Sequence, residues 1–106
     1  MTAEIDRPIE ISIPPAPLPA IGEVMPRRLV TVLGEVGGTH ARSHGHSRSF
    51  VCVLADATGE LDLVFLGRLG VGGFDAGRRV EVSGTPFWQA GRLVMLNPIY
   101  TLLPPR

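Results

Sequence analysis

Phe50-Val-Cys-Val-Leu-Ala-Asp-Ala-Thr-Gly-Glu-Leu-Asp-Leu-Val-Phe65 is two strands and the turn between them. Phe50 to Ala55 is a near-continuous apolar run, Asp56-Ala-Thr-Gly59 has the residue types of a tight hairpin, and Leu61, Leu63 and Phe65 alternate with Asp62 and Val64. That phase puts Phe50, Cys52, Leu54, Leu61, Leu63 and Phe65 on one inward face. It leaves Val51, Val53, Glu60, Asp62 and Val64 outward. The same period of two continues on both sides. Leu29 to Val36 alternates around Val30, Val32 and Gly34, Val80 and Val82 alternate with Glu81 and Ser83, and Arg92 to Leu96 closes the set. Five strands are expected, the last two joined by a turn at Gln89-Ala-Gly91. Between the third and fourth, residues 67 to 77 hold five glycines, which limits any helix there to one turn. The sequence has no internal repeat and no window with a helical period.

With 106 residues, the chain has room for one core. Thirteen glycines and ten prolines make it rich in turns. Its composition breaks near Pro26. Six of the ten prolines precede that point and twelve of the thirteen glycines follow it. Residues 1–26 carry Glu4, Asp6, Glu10 and Glu23 against Arg7, a net charge of −3, and residues 27–106 carry nine Arg against six acids, a net of +3. An extended, acidic, Pro-rich arm over 1–26 is expected before a basic domain over 27–106. Within the arm, Ile9, Ile11 and Ile13 alternate with Glu10 and Ser12 as an edge strand would, and Pro14-Pro15 ends the pattern. Such an arm docks on its own sheet or pairs a neighbouring copy into a homo-oligomer. No apolar run is long enough to span a membrane, the opening Met-Thr-Ala-Glu-Ile-Asp-Arg lacks a signal peptide's charge order, and a lone Cys52 forms no internal disulfide. A cytoplasmic location is expected, with no membrane partner.

About 76 residues of short strands fill a small barrel more readily than they cover an open sheet, so an all-β, five-stranded Greek-key barrel of the OB type is expected. The spaced elements Val-x-Gly-x-Val (32–36), Leu-x-Asp-x-Thr-Gly (54–59), Leu-x-Leu-x-Phe (61–65) and Gly-x-x-Val-x-Val-x-Gly (77–84) resemble those of the OB-fold nucleic-acid-binding family. The ending Gly91-Arg-Leu-Val-Met95-Leu-Asn97-Pro98-Ile-Tyr100 is similar to the last strand of the RecG helicase wedge domain and of small stand-alone actinobacterial OB-fold proteins. The resemblance implies binding of single-stranded or branched DNA, or of RNA, with little sequence preference and without catalysis. It doesn't extend to a fork-splitting aromatic, for which Phe74 is no secure counterpart.

The chemistry of the residues points the same way. With no lysine among ten cationic residues, there is no phosphate-binding loop lysine and no Schiff-base lysine. Cys52 lies mid-strand, where a thiol packs, and Asp56 and Thr58 belong to the turn. No cofactor is expected. The stretch Gly37-Gly-Thr-His40-Ala-Arg42-Ser-His44-Gly-His46-Ser-Arg48 holds all three histidines and two arginines and is expected as the loop between the first two strands. On one reading Arg42 and Arg48 meet phosphates while His44 and His46 stack or donate; on another the loop is simply solvated; on a third His40, His44 and His46 hold a metal. Across the groove, Phe87-Trp88 and Arg92 set aromatic faces beside a guanidinium, with Trp88 expected to be exposed. Arg68 completes the candidate nucleic-acid contacts Arg42, His44, His46, Arg48, Arg68, Trp88 and Arg92. The rival is a protein-interaction or homo-oligomerisation module built on Val51, Val53, Val64 and the arm.

Overall fold

A computed structural model describes residues 17–104, so the Ile9, Ile11 and Ile13 segment lies outside the described residues. Period-two alternation yields β1 (Val30–His44), β2 (Ser47–Asp56), β3 (Gly59–Leu66), β4 (Arg79–Gly84), β5 (Phe87–Gln89), β6 (Arg92–Leu96) and β7 (Ile99–Leu102). They form one sheet in the order β5-β6-β3-β2-β1-β4-β7. All neighbours are antiparallel except β3 and β6, where Asp62, Leu63 and Val64 run parallel to Val94, Met95 and Leu96. The chain is all-β. The described residues hold seven strands where alternation gives five, and hydrogen bonding among them does not close the sheet. Phe87–Gln89, expected as the head of a turn, pairs with β6, and Ile99–Leu102 pairs with β4 beyond a break at Asn97-Pro98.

That break has a specific cause. Asn97 adopts φ 46°, a left-handed conformation that Asn tolerates better than most residues. Its N–H donates to the Val64 carbonyl (2.7 Å) and its Oδ1 accepts from the Leu66 N–H (2.9 Å). The side chain thus extends the parallel ladder by one residue while the backbone turns away. β6 is left beside β3, and β7 crosses to the far end of the strand order, beside β4.

The six side chains expected inward from Phe50 to Phe65 are buried, Phe50, Cys52, Leu54, Leu61, Leu63 and Phe65, and so are Val32, Val80, Val82, Leu93 and Met95 from the flanking strands. Each contributes roughly 1.5–3 kcal/mol if large and fully buried. Three further residues join them from outside the strands: Ile21, Val71 and Phe74. The Gly67 to Gly77 connection holds no helix, and its Phe74 packs edge-on against Phe65 (ring centroids 5.4 Å) and Tyr100 (5.0 Å). Gly34 is required by close approach, since a Cβ there would lie 2.7 Å from Leu54 Cγ.

Although composition breaks at Pro26, the chain meets the body earlier. Ile21 opens a short 3-10 turn (Ile21–Glu23) and is buried next to Gly59. Its N–H donates to Asp56 Oδ2 (2.8 Å), and the Gly22 N–H donates to Thr58 Oγ1 (2.7 Å). Asp56 Oδ1 accepts from the N–H of Thr58 (2.8 Å), the Thr58 hydroxyl (2.6 Å) and the N–H of Gly59 (3.1 Å). One turn residue therefore organises the β2–β3 hairpin and anchors the incoming chain.

Candidate functional site

The stretch expected as a loop between the first two strands is a β-ribbon. Val36 faces Leu54 and Gly38 faces Val53, so Gly37 is an extra residue in β1, a bulge. A one-residue slip reverses every later side chain. Before the bulge Val32 and Val36 point into the core; after it His40 lies opposite Val51, Arg42 opposite Ser49 and His44 opposite Ser47, on the outward face. Pairing continues to a two-residue turn at Gly45-His46, where Gly45 has φ 62° as the first central position of a type II′ turn needs. From Gly38 to His44 the ribbon runs about 20 Å.

Its outward face forms one wall of a groove of about 540 Å³, lined by His40, Arg42, Val51, Val53, Glu60, Asp62 and Arg92 among others. Arg42 Nε donates to His40 Nε2 (3.2 Å), which fixes the two side chains relative to each other. At the body end, Arg92 is bound to acids: Nε donates to Asp62 Oδ2 (2.7 Å), Nη2 to Asp62 Oδ1 (2.7 Å) and Nη2 to Glu60 Oε1 (3.0 Å). This two-pronged grip raises the guanidinium's proton affinity further and orients it across β3 and β6. One arginine against two carboxylates leaves that end at a formal −1, whereas Val36 to Ala55, the greater part of the β1–β2 hairpin, contains no carboxylate at all. The ribbon thus carries Arg42 and Arg48 with no acidic residue in its own sequence.

The remaining candidates divide between places. Trp88 is 62% exposed and, with Glu60, Arg92, Gly91 and Ile21, lines an adjoining depression of about 370 Å³. Glu60 and Arg92 belong to both concavities, so Trp88 flanks the groove's body end. Arg48 pairs with Ser43 in the phase of Phe50 and Cys52, and so lies on the ribbon's other face from Arg42. The Gly67 N–H donates to the Arg48 carbonyl (2.8 Å), which brings the exposed Arg68 close to Arg48. His46 occupies the turn. The structure thus unites His40, Arg42 and Arg92 in one groove with Trp88 beside it, and places Arg48 and Arg68 apart. From sequence Arg92 is a guanidinium beside Phe87 and Trp88; the structure adds that Glu60 and Asp62 hold it, for which their outward phase on β3 is the available signal.

Other groups are structural. Burial, with the Asp62 charge adding to it, pushes the Cys52 thiol up to about 11. Burial acts to raise the Asp56 carboxyl, but the hydrogen bonds from Ile21, Thr58 and Gly59 prevail and hold it below its ordinary value. Phe74 is buried and unavailable for stacking on a base. Among the described residues no three His, Cys, Asp or Glu side chains gather as a metal set. His40 and His44, four residues apart on one strand, are separated by about 13 Å along it. No helix of the described residues is long and apolar enough to cross a membrane. No family model and no curated protein matches the chain.

Proposed function

We propose that this is a non-catalytic nucleic-acid-binding protein whose sheet is a partly open OB barrel, and that single-stranded or branched DNA, or RNA, lies in the groove beside the ribbon. The observation that carries the reading is the acid-free Val36 to Ala55 stretch, folded so that the Gly37 bulge turns His40, Arg42 and His44 to the groove side. Phosphates are drawn to such a surface, and bases stack on the exposed face of Trp88 in the depression that adjoins the groove. The OB reading is supported by the parallel β3–β6 pair, by β1 serving both β2 and β4, and by Asn97 joining β6 to β7 at opposite flanks of the sheet. In that fold the face of the second and third strands, between two rim connections, is where oligonucleotides bind. Little sequence preference follows, since cations and a ring read no base edges.

Trp88 is the single tryptophan of the chain, so its emission reports the proposed contact directly. Adding an unlabelled single-stranded or forked oligonucleotide in low salt is expected to quench it. Unchanged emission at tens of micromolar oligonucleotide, DNA and RNA alike, removes Trp88 from the site.

A protein-interaction reading is favoured by a different observation. Val51 is buried and Val53 and Val64 are half-buried, but Leu29 and Ile99 are 79% and 77% exposed. On that reading Ile99→Asp changes the oligomeric state by light scattering.

A further inference from the structure

We propose that the edge of β1 from Gly38 to His44 pairs antiparallel with the same edge of a second copy of this chain, and that the two grooves then form one track for nucleic acid; the track, though not the pairing, rests on the nucleic-acid reading of the groove. β4 covers β1 only from Val30 to Glu35. Val36 makes the last backbone bonds on that side, donating to the Arg78 carbonyl (2.9 Å) and accepting from the Gly77 N–H (2.8 Å). Beyond the Gly37 bulge β1 continues from Gly38 to His44, held by β2 on one side and, among the described residues, by no strand on the other. These seven residues are all exposed, and they include no proline, lysine or acid of the kind that guards an edge. Such an edge accepts an added strand.

A second copy fits this edge in one register. Ala41 is the midpoint of Gly38 to His44, so a two-fold axis there pairs all seven residues, and every other register pairs fewer. The same axis sets Arg42 opposite His40 of the second copy. Within one chain Arg42 Nε donates to His40 Nε2 (3.2 Å), so the imidazole offers an acceptor, whereas an axis at Arg42 would set two guanidiniums face to face. Thr39 then meets Ser43, a pair of hydroxyls, and Ala41 meets Ala41. His44 comes opposite Gly38, where an added Cβ would meet nothing within 4 Å, so there is room for the neighbour. Residues opposite one another share a face, which puts His40, Arg42 and His44 of both copies on one side of the merged sheet. One groove balances Arg42 and Arg92 against Glu60 and Asp62. Pairing keeps that balance but separates its parts: both Arg42 lie on the central strands, and the carboxylates lie on β3, two strands out on either side. A strand long enough to cross both grooves binds the pair more tightly than one copy, and by linkage strengthens the pairing.

The test uses the full chain. Residues directly opposite in an antiparallel pair have Cα atoms about 5 Å apart, so Ala41→Cys should form a disulfide between copies under mild oxidation, with the buried Cys52 inert. Ser43→Cys is the control, since its copies lie four residues apart along the strand, about 13 Å, beyond the reach of a disulfide. Ala41→Lys sets two ammonium groups opposite one another at an exposed position and should shift the dimer seen by sedimentation velocity at high micromolar concentration to monomer. In low salt the parent should bind single-stranded DNA of about 40 nucleotides several-fold more tightly than DNA of about 12, and Ala41→Lys should lose most of that advantage. A monomeric parent whose Ala41→Cys variant does not cross-link, yet which binds DNA, would overturn the pairing and leave the nucleic-acid reading standing. Cross-linking through Ala41→Cys in a chain that binds no DNA would support the pairing and overturn the nucleic-acid reading and the shared track with it. Equal cross-linking of Ala41→Cys and Ser43→Cys, or a dimer that Ala41→Lys leaves intact, would place any contact between copies elsewhere and overturn the assignment to this edge.

Discussion

Replacing Asn97 separates the two things its position demands. Its φ of 46° costs an ordinary residue about 1–2 kcal/mol, which Asn partly escapes, and its Oδ1 hydrogen bond to the exposed Leu66 N–H contributes about 0.5–1 kcal/mol. Asn97→Ala loses both and should destabilise by about 2 kcal/mol. Asn97→Gly relieves the backbone but loses the bond, for about 1 kcal/mol. Asn97→Asp keeps an acceptor and should fall within about 0.5 kcal/mol of the parent. With a urea m-value of about 1 kcal/mol/M for a domain of this size, the midpoint shifts are about 2 M, 1 M and at most 0.5 M. Urea unfolding followed by far-UV circular dichroism measures all three. If Ala and Gly unfold at the same midpoint, or Asp is as damaging as Ala, then Asn97 does not direct the crossing from β3 to β4 in the way argued.

Other outcomes follow from particular contacts. Phe65→Ala, which removes a buried ring packed on Phe50, Phe74 and Tyr100, should cost about 3–5 kcal/mol, and a fall of only a few degrees in Tm would contradict its place in the core. Asp56 has a folded-state pKa below its unfolded value, so its charge stabilises above about pH 4 and that contribution is lost as pH falls through the folded value. The Tm gap between the parent and Asp56→Asn should therefore narrow from pH 7 to pH 3; a constant gap would contradict it. Glu60→Gln removes one of the two carboxylates held by Arg92 and should strengthen oligonucleotide binding in low salt, whereas Arg92→Ala uncovers both and should weaken it. Equal effects of the two substitutions would place Arg92 outside the groove's electrostatics.

The inward phase of the strands was legible because period-two alternation is a direct record of which face is covered, and Phe50 to Phe65 states it without interruption. The ribbon was not. Counting on from Val36 by twos puts Gly38, His40 and Arg42 inside, a sequence no core accepts, so the stretch read as a loop; Gly37 resolves the conflict by slipping the phase, and the adjacent Gly37-Gly38 was its only sequence mark. Ile21, Val71 and Phe74 escaped for another reason. They reach the core from segments without periodicity, where only tertiary contact reveals burial. Of the candidate contacts, Trp88 was readable from its turn, while Arg92's carboxylate partners come from β3, thirty or more residues earlier, across a parallel pairing that alternation does not specify.

The central claim is that the ribbon face of the groove binds nucleic acid, and a fluorescence-anisotropy titration of labelled single-stranded and forked DNA at several salt concentrations, with the parent chain and Arg42→Ala, tests it most directly. The expected result is micromolar binding in low salt whose dependence of log K on log salt falls in slope by about 0.7–0.9 in the variant, the loss of one phosphate contact. Absence of binding to either DNA at micromolar protein, or a slope that Arg42→Ala leaves unchanged, would contradict the account.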